Sequence, residues 1–293
     1  MQGTVDGFSY GIVTPLVAFF MAFLGAALGL RCTTRSMLVA QSWRAGWLAL
    51  GSAAIGSGIW TMHFIAMMGF TVAETPVHYD QAITFASLGV GVLMVGIGVF
   101  IVGYRGATGV PLFTGGTITG LGIATMHYLG MAGMRLNGTL QYNTLTVAAS
   151  VIIAMAAATA ALWAAGQVRG FLWSVGASLV MGLAVSGMHY TGMAALSVHL
   201  HGGSGSPAGD SPASLLAPLM IGPLVFLCLA GVVVMFDPLI IAGGSGRPPV
   251  EQRRPGVPAH PPAVDAVDAG LRRTLARPGQ RTVPRDHRTP QNR

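Results

Sequence analysis

Long apolar stretches alternate with short polar ones along most of the chain. Seven of them reach the roughly 20 residues a helix needs to cross a hydrocarbon layer. They run about Gly11–Leu30, Gly46–Phe70, Ala82–Tyr104, Leu112–Gly133, Leu145–Gln167, Leu172–Leu196 and Leu215–Ile241. The connectors are short and hold nearly all the charges. This pattern predicts an all-α polytopic transmembrane bundle of seven spans over residues 1–242. Its spacing predicts three two-helix repeats plus a last helix, with a tail over residues 243–293.

Composition agrees with lipid as the solvent. Charged residues make up 9% of the chain and hydrophobic ones 52%, against about 25% charged residues in an ordinary soluble domain. The net charge of +7 is concentrated at one end. Ten Arg and four acidic residues lie between Gly243 and Arg293, a net +6. The basic charge is therefore a Pro-rich tail, not a nucleic-acid-binding face, and no nucleic-acid partner is expected. The chain has no lysine, which excludes a retinal Schiff base among seven-span readings. Cys32 and Cys228 fall at different depths, so no disulfide is expected. Met1–Tyr10 has no basic residue and carries Asp6, unlike a signal peptide, so the first span is expected to be retained.

Arginine placement predicts the orientation. Arg31, Arg35, Arg44, Arg105, Arg169 and the tail fall on one side of the spans. Asp6, Glu74, His78, Asp80, Arg135, His199, His201 and Asp210 fall on the other. The expectation is a multi-pass protein of the inner (cytoplasmic) membrane, N-terminus outside and C-terminus inside. Asp237-Pro238 should end the last span. The tail should be disordered. Within it, Ala263–Arg277 places Val264, Val267, Leu271 and Leu275 on one helical face, suited to the inner leaflet or to a cytoplasmic partner.

Spans 2, 4 and 6 carry one repeated cluster. The first copy runs from Gly56 to Met67 with Met62-His63-Phe64 and Ala66. The second runs from Gly120 to Met131 with Met126-His127-Tyr128 and Gly130. The third runs from Gly182 to Met193 with Met188-His189-Tyr190 and Gly192. The histidines are 64 and then 62 residues apart, the length of one out-and-back helix pair. At about 100° per residue, the glycine seven before each histidine and the methionine four after it share its face. The glycine at that position and the small residue three after the histidine (Ala66, Gly130 or Gly192) let neighbouring helices approach.

An intramembrane histidine is costly and points to function, although a core histidine bonded to a backbone carbonyl is the plainer alternative. Three at matching depth, each flanked by methionine, favour a site. Imidazole with thioether suits a soft or borderline metal, copper ahead of zinc. The candidate ligands are His63, His127 and His189, with Met67, Met131 and Met193, then Met62, Met126 and Met188. Tyr128 and Tyr190 could support the ligands or anchor at the interface; Phe64 can only pack. Met21, Met94, Met155 and Met220 read as core. His78, His199 and His201 read as solvated loop residues.

These segments resemble the MHYT domain, a bacterial integral-membrane sensor module named for its Met-His-Tyr-Thr signature. Met188-His189-Tyr190-Thr191 spells it; Met126-His127-Tyr128-Leu129 and Met62-His63-Phe64-Ile65 depart from it. The resemblance covers about Gly3 to Ile241. It implies motif residues near the outer face, a copper site, and sensing of oxygen, carbon monoxide or nitric oxide. Members of the family often carry cyclic-di-GMP or DNA-binding output domains after the membrane part. Only the short tail follows here, so any signal is expected to pass through it or through a separate cytoplasmic partner. A haem-b protein and a copper transporter are the competing readings. No Ser-His-Asp set, carboxylate pair or phosphate loop points to an enzyme.

Overall fold

The computed structural model describes residues 2–7, 9–167, 170–200 and 212–236. Arg169, His201, Asp210, Asp237-Pro238, the tail and its amphipathic segment lie outside them. Among the described residues there are seven helices: α1 Val13–Leu38, α2 Gln41–Met68, α3 Gln81–Arg105, α4 Gly109–Ala132, α5 Thr144–Gly166, α6 Phe171–Ala194 and α7 Pro212–Met235. At a rise of about 1.5 Å per residue each is long enough to cross a bilayer core of about 30 Å. Six are also apolar enough to do so. The exception is α4, whose Gly and Thr residues dilute its hydropathy. It packs between α3 and α5 as a full member of the bundle.

Helices begin and end where local chemistry dictates. Asp80 caps α3, its carboxylate accepting from Ile83 N at 3.1 Å. Asn143 caps α5 in the same way through Thr146 N at 3.1 Å. Such caps satisfy amides that have no partner within the helix. The charges of the first connector do not break the helices. Arg31 and Arg35 lie within α1 and Arg44 within α2, with Val39 and Ala40 alone between. Long arginine stems can leave a helix end for the interface. The Arg35 guanidinium lies 5.7 Å from the Trp47 ring and that of Arg44 lies 5.1 Å from the Tyr104 ring. Arg44 also donates to the Gly103 carbonyl.

Six helices close into a ring. α3 stands between α2 and α4, α5 between α4 and α6, and α1 between α6 and α2; α7 packs outside, on α2 and α1. The glycine seven residues before each histidine explains this order. A Cβ on Gly56 would lie 2.8 Å from Val92 Cα of α3, and one on Gly120 would lie 2.6 Å from Met155 N of α5. One on Gly182 would lie 3.0 Å from Phe19 and 3.3 Å from Phe23 N, both of α1. The three glycines are thus three equivalent helix crossings. Along the axis, in the half of the ring away from the histidines, a narrow apolar cavity of about 10 Å³ remains, lined from all six helices.

The end of the ring near the histidines is covered by paired strands. β1 (Val5–Asp6) pairs with β2 (Thr71–Val72), β3 (His78–Tyr79) with β4 (Met134–Arg135), and β5 (Gly138–Tyr142) with β6 (Leu196–Leu200), all antiparallel. Gln2 bridges to His199, and Gly3 N donates to Val198 O at 2.8 Å. The N-terminal segment therefore joins the α6–α7 connector to the α2–α3 connector and closes a circle of pairings. His78 and His199 are strand residues of this cap, not members of free loops. Asp80 pairs with Arg135 at 3.1 Å.

Glu74 fastens the N-terminal segment, since its carboxylate accepts from Thr4 N at 2.9 and 3.2 Å. That bond holds the Glu74 carboxyl below its usual range. The contribution is therefore full above the ordinary glutamate value of about 4.3 and disappears as pH falls through the depressed value. Glu74→Gln should lower the hydrogen-exchange protection of the Thr4 amide at neutral pH and abolish its loss in acid. Unchanged protection would show that the strand pairings alone hold the segment.

Candidate metal centre

Each motif histidine sits five residues before the last residue of its helix: His63 in α2, His127 in α4 and His189 in α6. Equal depth on three neighbouring helices brings them together at the axis, beneath the strand cap. His63 Nδ1 lies 3.1 Å from His189 Nδ1 and 3.1 Å from His127 Nδ1; His127 and His189 close the triangle at 3.3 Å. The rings meet edge-on, with centroids 4.8 to 5.1 Å apart. All three side chains are at most 1% exposed. Among the described residues this is the one cluster of three His, Cys, Asp or Glu donors.

Protons cannot satisfy this triangle. A neutral imidazole nitrogen either donates one in-plane hydrogen or offers one lone pair. Three nitrogens in mutual contact therefore always leave one pair with two donors or two acceptors facing each other. A single cation resolves the conflict by taking all three lone pairs. The size is close: metal–imidazole bonds of about 2.0–2.1 Å put neighbouring nitrogens about 3.3–3.6 Å apart at tetrahedral to trigonal angles. The residues present thus fit a metal ion held by three neutral donors.

The methionines divide. Met62, Met67, Met126, Met131 and Met188 are buried, while Met193 is partly buried against the core. Met126 has a packing partner in α3, since a Cβ on Gly91 would lie 3.1 Å from its Cγ. By helical rotation Met62 and Met188 lie on the corresponding flank of their helices. Met67, Met131 and Met193 stand one turn above the histidines, between them and the cap. The Tyr128 hydroxyl lies 2.6 Å from Ser150 Oγ and ties α4 to α5. Its ring meets His127 edge-on at 4.8 Å, as Phe64 meets His63 at 4.6 Å and Tyr190 meets His189 at 4.9 Å.

Two features of the site escape sequence reasoning. Trp60, fully buried, donates to Ser87 Oγ at 3.0 Å and fixes α2 to α3 beside the Phe64 ring, 4.7 Å away. Trp60 stands three before His63 in the sequence, where nothing names its partner. The glycines three after His127 and His189 do not serve helix–helix approach as the sequence implied. They face imidazoles: a Cβ on Gly130 would lie 2.6 Å from His63 Nε2, and one on Gly192 would strike His127 Nε2.

Known proteins are similar to this chain in sequence. The family model described as a bacterial signalling protein N-terminal repeat, MHYT, matches residues 56–115, 120–178 and 182–241, more than half of the chain. Each match starts at the crossing glycine. The first two matches each span one motif helix end, the next helix and the start of the following motif helix, and the third runs from within α6 past α7. The bifunctional diguanylate cyclase/cyclic di-GMP phosphodiesterase MucR of Pseudomonas aeruginosa is 35% identical over 238 residues, 78% of this chain and 34% of that protein. The cyclic di-GMP phosphodiesterase NbdA of the same organism is 37% identical over 164 residues, 54% of this chain and 21% of its own. The signalling protein YkoW of Bacillus subtilis is 31% identical over 191 residues, 63% of this chain and 23% of its own. The chain thus spans about a third or less of the length of these curated relatives. No solved structure matches. With three motif copies, three repeat matches and one helix bundle around three histidines, the chain belongs to the MHYT family of bacterial signalling membrane proteins.

Proposed function

We propose that this membrane domain is a sensor whose three histidines hold one copper ion, through which it responds to copper or to oxygen, carbon monoxide or nitric oxide. The observation that carries the reading is the nitrogen triangle, which suits a cation and cannot be completed by protons. The donors are neutral and the surroundings apolar, so a monovalent ion costs least to bury. Imidazole with thioether overhead favours Cu(I). His63, His127 and His189 are the ligands, with Met67, Met131 and Met193 lining the side toward the cap. When bound, the ion supplies the attraction that draws α2, α4 and α6 together at one depth. The helices that carry the three ligands would shift relative to one another on loss of the ion or a change in its state, and that shift would be the signal.

The domain is read as non-catalytic, with its output in a partner or a further domain on the cytoplasmic side; the relatives' names point to cyclic di-GMP as the output chemistry. The cap faces outside and the chain leaves the bundle inside, in the inner membrane. Supporting this, Arg31, Arg35, Arg44 and Arg105 gather at the end away from the cap, and Arg135, the exception, is paired with Asp80. Haem is disfavoured because rings in edge contact leave no room for a macrocycle between them. A transport path is disfavoured because an axial cavity of about 10 Å³ holds at most about one water.

The test is the metal content of protein purified in mild detergent, by mass spectrometry, with an optical spectrum of the same sample. One copper per chain, reached directly or after Cu(I) reconstitution, supports the reading. A Soret band, or no metal after reconstitution, refutes it.

A further inference from the structure

The structure assigns Gly130 and Gly192 as positioning residues that seat the imidazole of the preceding repeat, and it makes Ala66 the odd third seat. This rests on the metal-site reading above and extends it to residues that touch no metal.

The two seats are alike atom by atom. A Cβ on Gly130 would lie 2.6 Å from His63 Nε2, 3.1 Å from His63 Cδ2 and 3.2 Å from Phe64 Cζ. A Cβ on Gly192 would strike His127 Nε2 and lie 3.1 Å from His127 Cδ2 and 3.3 Å from the Tyr128 hydroxyl. Each glycine thus receives a histidine and the aromatic residue that follows it. Both Nε2 atoms are buried and have no hydrogen-bond partner among the described residues. Metal-bound histidines are usually oriented by a bond from the second nitrogen to a carboxylate or carbonyl. Here the orientation of His63 and His127 comes from shape, with the ring edge set against a bare Cα. Glycine inside a helix is costly, so a packing requirement accounts for its presence at these two places.

The cycle runs from α2 to α4 and from α4 to α6. By the same rotation the third step is assigned to His189 of α6 and position 66 of α2, where the residue is alanine. One methyl group therefore distinguishes the third corner, and the site has two glycine-seated imidazoles and one alanine-seated one. Adding a methyl at Gly130 or Gly192 tilts one ring and moves its Nδ1 out of the triangle. Removing the methyl at Ala66 lets His189 settle as the other two do.

Cu(I) affinity would be measured by competition with a chelator of known strength, alongside X-ray absorption spectra of the loaded protein. Gly130→Ala and Gly192→Ala should each weaken Cu(I) binding by about 10- to 100-fold, the usual cost of losing ligand orientation, and alter the absorption edge. Gly187→Ala, in α6 with nothing near its Cβ, should leave both at wild-type values. Ala66→Gly, which adds no atom, should tighten binding or sharpen the spectrum toward equivalent ligands. His63→Gly should regain Cu(I) with free imidazole, and the same variant carrying Gly130→Ala should not. Wild-type affinity and spectrum in both alanine variants would overturn the assignment, as would imidazole rescue despite Gly130→Ala. If either variant fails to stay monodisperse, an unchanged spectrum in Ala66→Gly overturns the asymmetry on its own. Absence of copper from the wild-type protein would instead sink the metal reading itself.

Discussion

His127→Leu should abolish copper binding and, in metal-free protein, raise thermal stability. His127 is fully buried, its Nδ1 lies 3.1 and 3.3 Å from the other two, and its buried Nε2 has no partner among the described residues. Without an ion the triangle holds at least one repulsive pair of nitrogens, and an unpaired buried polar group costs about 1–3 kcal/mol. Leucine fills similar space with no polar atom, so the apo variant should melt higher. The wild type should be stabilised by copper by about 2.7 kcal/mol at a free concentration 100 times its dissociation constant; the variant should gain nothing. Melting curves of both proteins with and without Cu(I) separate the outcomes. A variant less stable than wild type without metal would mean that the three histidines are ordinary core groups, satisfied by their surroundings.

Gly120→Val should destabilise the bundle far more than any exposed substitution. A Cβ there would lie 2.6 Å from Met155 N and 2.8 Å from Ala154 O. Both are backbone atoms of α5, which cannot rotate away as a side chain can. Overpacking a core costs about 1–3 kcal/mol, and the rest of the valine side chain adds to the clash. Gly89→Ala is the matching control: it is exposed on α3 with nothing within reach of a Cβ, and it should gain up to about 1 kcal/mol of helix propensity. Because α4 carries His127, forcing it off α5 should also weaken copper binding. Equal melting temperatures for the two variants would refute the crossing-glycine account.

The helices, their repeat and the histidine site were legible because each rests on a period. About 20 apolar residues make a span, and a fixed offset within successive helices sets equal depth. His63, His127 and His189 could therefore be brought together on paper. The strand cap was not legible. β1 to β4 are two residues long, too short for an alternating pattern, and their pairings join connectors far apart in sequence. The charged first connector was misleading, since Arg31, Arg35 and Arg44 ride on helices whose ends reach the interface. The placement of α1 between α6 and α2, with α7 outside, depends on a crossing at Gly182 whose partner the sequence does not name. The glycines after His127 and His189 looked like helix contacts because spacing alone cannot distinguish a neighbour's backbone from a neighbour's imidazole.

X-ray absorption at the copper edge, on protein loaded with one Cu(I) per chain, tests the central claim most directly. The account predicts a shell of imidazole nitrogens at about 2.0 Å, lost together with the bound copper in a combined His63→Ala, His127→Ala and His189→Ala variant. Copper retained by that variant with an unchanged shell would contradict it.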